Sequence, residues 1–82
     1  MKYILIKHAR ERLEERKIQE SLIQEALEKP TKTIYDNKGR ILVKKLYTRQ
    51  GKQRLLLIAG EIAKDTFVVI TIIDTTKIKK YL

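Results

Sequence analysis

Residues 40–62, RILVKKLYTRQGKQRLLLIAGEI, carry the clearest structural pattern in the chain. Two runs rich in β-branched, apolar and aromatic residues lie on either side of the turn signal Gln50-Gly51-Lys52, a pattern typical of an antiparallel hairpin. Two further runs extend the series towards both ends of the chain, separated from it by turn residues. The four predicted strands cover residues 33–35, 40–47, 54–62 and 66–73. Together they predict a four-stranded antiparallel meander.

Two amphipathic segments precede the meander. Residues 8–17 place Ala9 and Leu13 on one helical face, and residues 20–29 form a second helix that Pro30 ends. The apolar face of the second helix is predicted to contain Ile18, Leu22, Ile23, Ala26 and Leu27. Residues 3–6 have the composition of a short strand. We therefore expect an α+β domain with a short N-terminal strand, two helices on one face of the sheet, and an uncovered opposite face.

The size and composition of the chain exclude several classes of protein. With 82 residues, positions 1–82 form a single domain. The absence of cysteine excludes disulfides, thiolate nucleophiles and cysteine metal sites, and a single histidine argues against a transition-metal site. No cofactor is expected. No apolar run approaches the roughly 20 residues that span a bilayer. The N-terminal stretch of residues 1–7 is too short for a signal peptide. We therefore expect a cytoplasmic protein without membrane contact.

The positive charge is concentrated in the second part of the chain. The net charge is +9, of which residues 1–30 contribute +1 and residues 31–82 contribute +8. Such an excess attracts polyanions by counterion release, so RNA or DNA is the expected partner. The alternative is a Lys- and Glu-rich composition suited to high temperature.

Six side chains near the two ends of the chain are candidates for phosphate chemistry. His8, Arg12 and Arg16 recur every four residues and form one row on a helix, whereas Lys77, Lys79 and Tyr81 follow the last strand. Metal-free RNA cleavage needs a group that deprotonates the 2′-hydroxyl, a cation beside the phosphorane and a proton donor to the leaving oxygen. His8 and Tyr81 are the candidate catalytic residues. The other four, Arg12, Arg16, Lys77 and Lys79, are candidate phosphate ligands. Alternatively, His8 caps or packs its helix, and the arginines pair with Glu15 or Glu20.

Strand residues 40–47 carry a further candidate surface. Alternation places Lys45 and Tyr47 on one face of the strand and Lys44 on the other. Lysines beside an aromatic ring can hold phosphates while the ring stacks a base, so Lys44 and Lys45 are candidate RNA-binding residues. The competing interpretation is that the lysines extend along the surface and Tyr47 packs at a sheet edge. Three acidic residues near strand ends, Asp36, Asp65 and Asp74, are expected to serve as turn and capping residues rather than as magnesium ligands.

The motifs at both ends of the chain resemble a family of small prokaryotic domains of unknown function. They are His8-x-x-x-Arg12-Leu13-x-x-Arg16-x-Ile18, the helix end at residues 26–30, Val68-Val69-Ile70-Thr71, and the closing residues 76–81. That family is similar, more distantly, to the RelE/ParE-like toxin superfamily. The resemblance covers nearly the whole chain and implies an α+β fold with two N-terminal helices on an antiparallel sheet.

For toxin members the resemblance implies metal-independent cleavage of messenger RNA, often on the ribosome, and restraint by a small acidic antitoxin. Carried over residue by residue, the resemblance supports His8, Arg12 and Arg16 in the opening motif. In the closing motif it supports Lys77, Lys79 and Tyr81. The chain has Ile73-Asp74 where a Tyr-Arg pair is common in the superfamily. We therefore expect a toxin-like ribonuclease domain, with a non-catalytic RNA- or DNA-binding module or a protein-interaction module as the alternatives.

Overall fold

The computed structural model describes residues 2–82, which form three helices and five strands. In chain order these are β1 (Lys2–Leu5), α1 (Lys7–Glu15), α2 (Glu20–Glu28), β2 (Lys32–Tyr35), β3 (Arg40–Arg49), β4 (Lys52–Ala63), β5 (Thr66–Thr75) and α3 (Ile78–Tyr81). The α+β class predicted from the sequence is confirmed.

All five strands join one mixed sheet in the order β1-β5-β4-β3-β2. Strands β2 to β5 pair antiparallel in sequence order, and β1 adds to the edge of β5 in parallel. The predicted four-stranded meander therefore describes only part of the sheet. A parallel pair needs a long crossover connection, and β1 and β5 are separated by two helices and three strands.

Helices α1 and α2 cover one face of the sheet, which we call the helix face. Its core combines apolar residues from both helices with inward residues of the central strands. The buried members are Ala9, Leu13, Ile18, Ile23, Ala26, Leu27, Val43, Leu56, Ile58, Phe67, Val69 and Ile72. Burial of apolar surface at this interface holds the helices on the sheet.

Two backbone features fix the positions of these elements. Helix α1 ends with Lys17 in the left-handed conformation (φ 54°), and the N–H of Ile18 donates to the Leu13 carbonyl at 3.0 Å, which is a Schellman motif. In β4, the bulge at Gly60 brings the Phe67 ring against the backbone. A Cβ at Gly60 would lie 2.7 Å from the Phe67 ring and 2.2 Å from the Val68 carbonyl oxygen, so only glycine fits.

The opposite, outer face of the sheet is not bare. Alternation places Lys44, Leu55 and Leu57 on this face, and all three are buried. Helix α3 contacts β4, and the Lys44 ammonium donates to the backbone oxygen of Tyr81. The expectation of an uncovered face is therefore corrected: the residues after β5 fold back over part of it. Within residues 2–82, none of the helices is long and apolar enough to cross a membrane.

Candidate functional site

A buried carboxylate marks one end of the helix face. The side chain of Asp74 is 3% exposed. Its Oδ1 accepts a hydrogen bond of 2.6 Å from the Tyr47 hydroxyl, and its Oδ2 lies 3.0 Å from Nη2 of Arg54. Arg54 Nε also donates to both carboxylate oxygens, at 3.2 and 3.1 Å. The carboxylate is thus bound by a cation and a hydroxyl, as a buried charge requires.

Strand register brings these three residues together. Tyr47 pairs with Arg54 across β3 and β4, and Asp74 on β5 pairs with Leu56, two residues from Arg54. Because side chains alternate along a strand, all three point to the helix face. The sequence interpretation of Asp74 as a turn or capping residue was therefore wrong. Asp36 does have that role, since it accepts hydrogen bonds from the N–H groups of Lys38 and Arg40 at 2.8 and 2.9 Å.

The environment fixes the protonation of this cluster at neutral pH. Burial raises the pKa of Tyr47, and the hydrogen bond and negative charge of Asp74 raise it further. The pKa of Arg54 is also raised, mainly by its hydrogen bonds to Asp74. Tyr47 is therefore a neutral hydrogen-bond donor rather than a base, and Arg54 is a permanent cation.

Beside this cluster lies an open cavity of about 390 Å³, which we call the basic cavity. It is lined by Arg16, Arg49, Gln50, Lys52, Arg54 and Asp74. Arg16 follows the end of α1, and Arg49 and Lys52 flank the β3–β4 turn. Arg54 lies on β4 and Asp74 on β5, so the cavity has four cations and one carboxylate. Because the carboxylate is already bonded to Arg54, the cavity presents a net positive surface and suits an anion such as a phosphate.

Arg49 joins the two sides of the basic cavity. Its Nη1 donates to the backbone carbonyl oxygen of Arg16 at 3.2 Å, which links the β3–β4 turn to the end of α1. The turn itself has Gln50 and Gly51 in the left-handed region, with φ of 52° and 78°, the geometry of a two-residue type I′ hairpin. The short turn keeps Arg49 and Lys52 paired across the strands.

Of the helix row predicted from the sequence, only Arg16 lines the basic cavity. His8 is exposed in the first turn of α1, about 12 Å from Arg16 along the helix axis at a rise of about 1.5 Å per residue. Arg12 Nε lies 4.0 Å from Glu15 Oε2, as the alternative interpretation of that arginine proposed. The row thus follows α1 to the cavity but does not converge on one point.

The two candidate lysines of β3 bind backbone oxygens. Lys44 is 8% exposed, and its Nζ donates to the backbone oxygens of Tyr81 and Leu82. Lys45 Nζ donates to the carbonyl oxygen of Lys29 at 2.8 Å, just after the end of α2. In this arrangement each ammonium fixes a neighbouring segment to the sheet.

Lys77, Lys79 and Tyr81 lie in or next to α3, on the outer side of the sheet. Tyr81 is therefore separated from His8 by the sheet. The Tyr81 ring is partly exposed, and Lys80 Nζ lies 5.4 Å from its centre. The structure does not bring the two end motifs into one site, because the chain turns to the outer face after β5.

Five residues of the basic cavity were not assigned to a site from the sequence: Arg49, Gln50, Lys52, Arg54 and Asp74. A usable signal was present, since Arg54 alternates with Leu56 and Ile58 on the inward face of its strand. An inward arginine requires an acidic partner. Among residues 2–82 the structure has no group of three or more His, Asp or Glu side chains positioned to hold a metal ion.

The fold and the site define a small α+β domain with a basic cavity at one end of its sheet. The chain belongs to the family described as domain of unknown function (DUF4258), whose model matches residues 5–74. The small uncharacterised family expected from the end motifs is thereby confirmed. The match includes every residue that lines the basic cavity and ends before α3. No curated protein and no solved structure gave a match.

Proposed function

We propose that this protein binds RNA through the basic cavity and cleaves it without a metal ion, as a toxin-like ribonuclease of the RelE-like kind. The observation that supports RNA binding is the set of four cations, Arg16, Arg49, Lys52 and Arg54, around one open cavity. Only one carboxylate lines that cavity, and Arg54 already pairs with it at 3.0 Å. The remaining positive charge attracts phosphates and releases their counterions.

The helix row extends this binding surface. His8, Arg12 and Arg16 are spaced by about 6 Å along α1, and Arg16 borders the basic cavity. A single strand that lies along α1 would therefore place successive phosphates near the row before one enters the cavity. Single strands fit such a path because they bend more easily than a duplex.

Cleavage would use the 2′-hydroxyl of the bound strand as the nucleophile. Its oxygen attacks the adjacent phosphorus, a base accepts its proton, and the 5′-oxygen leaves after it receives a proton, so the products carry a 2′,3′-cyclic phosphate and a 5′-hydroxyl. Arg12, one helical turn from His8, would offset the phosphorane charge there, and the basic cavity would hold a phosphate further along the strand. His8, whose imidazole can both accept and donate a proton, is the proposed proton-transfer group on this side of the sheet, and Tyr81 is the candidate on the other side.

A non-catalytic RNA-binding module is the second candidate function. It is favoured by the bonding of the two proton-carrying groups nearest the cavity, since the Tyr47 hydroxyl and the Asp74 carboxylate bind each other at 2.6 Å. In either case we propose messenger RNA, including ribosome-bound messenger RNA, as the substrate or ligand. A small acidic antitoxin is the proposed protein partner, because its charge complements the +8 of residues 31–82.

Salt-dependent binding of a labelled single-stranded RNA tests the proposal. Log K should fall linearly with log salt concentration, with a slope of roughly −0.7 for each neutralised phosphate. Arg16→Gln and Lys52→Gln should each weaken binding and reduce the slope by about 0.7. Lys64→Gln is the matched control, because Lys64 is an exposed cation in the turn at the opposite end of β4. Equal effects of all three variants would contradict a site in the basic cavity.

Cleavage is tested in EDTA with two oligonucleotides that differ by one 2′-hydroxyl: an all-DNA strand and the same strand with one ribonucleotide. We expect cleavage only at the ribonucleotide, with a 2′,3′-cyclic phosphate product. His8→Ala should slow cleavage while salt-dependent binding is retained, and Tyr81→Phe tests the other candidate separately. Binding without cleavage by the wild-type protein would establish the non-catalytic module instead.

A further inference from the structure

A second, larger cavity adjoins the basic cavity. It has a volume of about 550 Å³ and lies between the α1–α2 connection and the end of β3. Arg49 and Gln50 line both cavities. Tyr47 also links them, because its side chain lines the larger cavity and its hydroxyl donates to Asp74, which lines the basic cavity. A ligand with a phosphate in one cavity can therefore extend into the other.

The lining of the larger cavity combines apolar and polar groups. Ile18, Leu22 and the Tyr47 ring supply the apolar part, and Gln19, Thr48 and Glu25 supply hydrogen-bonding groups. The volume falls within the range of about 300–1,000 Å³ that small-molecule pockets have. An aromatic ring beside a phosphate site is also the arrangement that stacks a base of single-stranded RNA.

We infer that this larger cavity binds a nucleobase of the RNA, and that its preferred base is guanine. The inference rests on the proposed function, because it places the base beside a phosphate held in the basic cavity. It deepens that function by assigning a base preference to a site otherwise defined by charge. The phosphate would contribute affinity, whereas the base would contribute specificity.

The preference for guanine follows from the Glu25 carboxylate. Among residues 2–82, its side chain makes no hydrogen bond and no ion pair, so both oxygens are available as acceptors. Guanine is the RNA base whose Watson–Crick edge offers two adjacent N–H donors, N1–H and the N2 amino group. Adenine, cytosine and uracil each place a ring nitrogen or a carbonyl beside their donor, and that acceptor would face the carboxylate.

Mononucleotide binding by the full chain tests the inference. Dissociation constants for GMP, AMP, CMP, UMP and inorganic phosphate are measured by NMR titration of the uniformly ¹⁵N-labelled protein. GMP should bind about tenfold more tightly than the other three nucleotides, the discrimination of one well-made base contact. Its addition should shift signals of Leu22 and Tyr47, whereas phosphate alone should shift those of Arg16 and Lys52.

Glu25→Gln should abolish the preference for GMP and leave phosphate binding unchanged. Glu28→Gln is the matched control, since Glu28 is an exposed carboxylate of the same helix and lines neither cavity. Equal affinities for the four nucleotides, or a preference that survives Glu25→Gln, would overturn the base assignment even if RNA binds with the expected salt dependence. A GMP preference in a protein that does not bind RNA would overturn the proposed function and retain the base site.

Discussion

Two strands of this domain each bury a charged side chain, and the two charges are stabilised in different ways. The side chain of Asp74 on β5 faces the helices and is 3% exposed, and Lys44 on β3 faces α3 and is 8% exposed as a whole residue. Asp74 has an opposite charge at 3.0 Å, from Arg54, and a hydroxyl donor at 2.6 Å. Among residues 2–82, Lys44 bonds only to the backbone oxygens of Tyr81 and Leu82.

The charge on Asp74 therefore stabilises the whole domain, whereas the charge on Lys44 positions a single segment. Arg54 and Asp74 belong to adjacent central strands, so their pair can break only if the sheet itself is disturbed. Lys44 connects a central strand to the residues after β5, which Lys32 also binds through the backbone oxygen of Leu82 at 3.1 Å, so loss of the Lys44 bonds loosens that segment alone. A buried ion pair with one partner removed leaves an uncompensated charge, whereas a lysine bonded to carbonyl dipoles can be replaced by an apolar side chain of similar length.

The largest effect is expected from Asp74→Asn. The substitution retains the size of the side chain but leaves Arg54 without its counter-charge, and the free energy of unfolding should fall by about 2–4 kcal/mol. For a domain of this length the corresponding decrease in melting temperature is roughly 10 °C or more. Urea denaturation and thermal unfolding followed by circular dichroism measure both quantities.

Asp65→Asn is the control for that experiment. Asp65 lies 3.8 Å from Lys2, and both side chains are more than three-quarters exposed. Surface pairs of this kind contribute about 0–1 kcal/mol, so the loss should be within about 0.5 kcal/mol. Similar losses for the two variants would show that the Arg54–Asp74 pair has no special weight in stability.

An intermediate effect is expected from Lys44→Met. Its unfolding free energy should change by about 1 kcal/mol or less, because methionine fills the same space without a charge to bury. Residues 78–82, in contrast, should lose their bonds to Lys44 and exchange their amide hydrogens faster, although Lys32 still binds Leu82. Hydrogen exchange measured by NMR separates the two effects. Lys80→Met is the control, since Lys80 is exposed on α3, and a global loss as large as that of Asp74→Asn would contradict the proposed division.

The comparison also explains which parts of the fold the sequence could predict. The strands from residue 40 to residue 73 and the apolar faces of both helices were predictable because alternation and helical periodicity are local properties. The parallel pairing of β1 with β5 was not, because it joins residues more than 60 positions apart and four residues carry no sign of their partner. The bonds from Lys44 to Tyr81 and Leu82 likewise join residues 37 and 38 positions apart, and no local pattern identifies Lys44 as their partner.

The candidate site was only partly predictable. Arg16 was identified from its spacing in the helix row, and it does border the basic cavity. Lys52, Arg54 and Asp74 were not selected, because a charged residue in a strand or turn has the same appearance in sequence whether it faces solvent or another charge. Register across three strands determines that Arg54 meets Asp74, and register depends on the bulge at Gly60 and on turn lengths as well as on composition.

An effect similar in size to that of Lys44→Met, and smaller than that of Asp74→Asn, is expected from Tyr47→Phe, which removes one hydrogen bond to Asp74 and retains the ring. Unfolding free energy should fall by about 1 kcal/mol at neutral pH.

Because the pKa of Tyr47 is raised above its usual value of 10.0 in the folded protein, the contribution of this group to stability is fully present below about pH 10. It decreases as pH rises through the folded pKa. Spectrophotometric titration of the four tyrosines should therefore show one late ionisation, absent from Tyr47→Phe and present in Tyr35→Phe. Tyr35 is the control because that residue is 72% exposed. If all four tyrosines ionised together in the folded wild type, the hydroxyl of Tyr47 would not be held by Asp74.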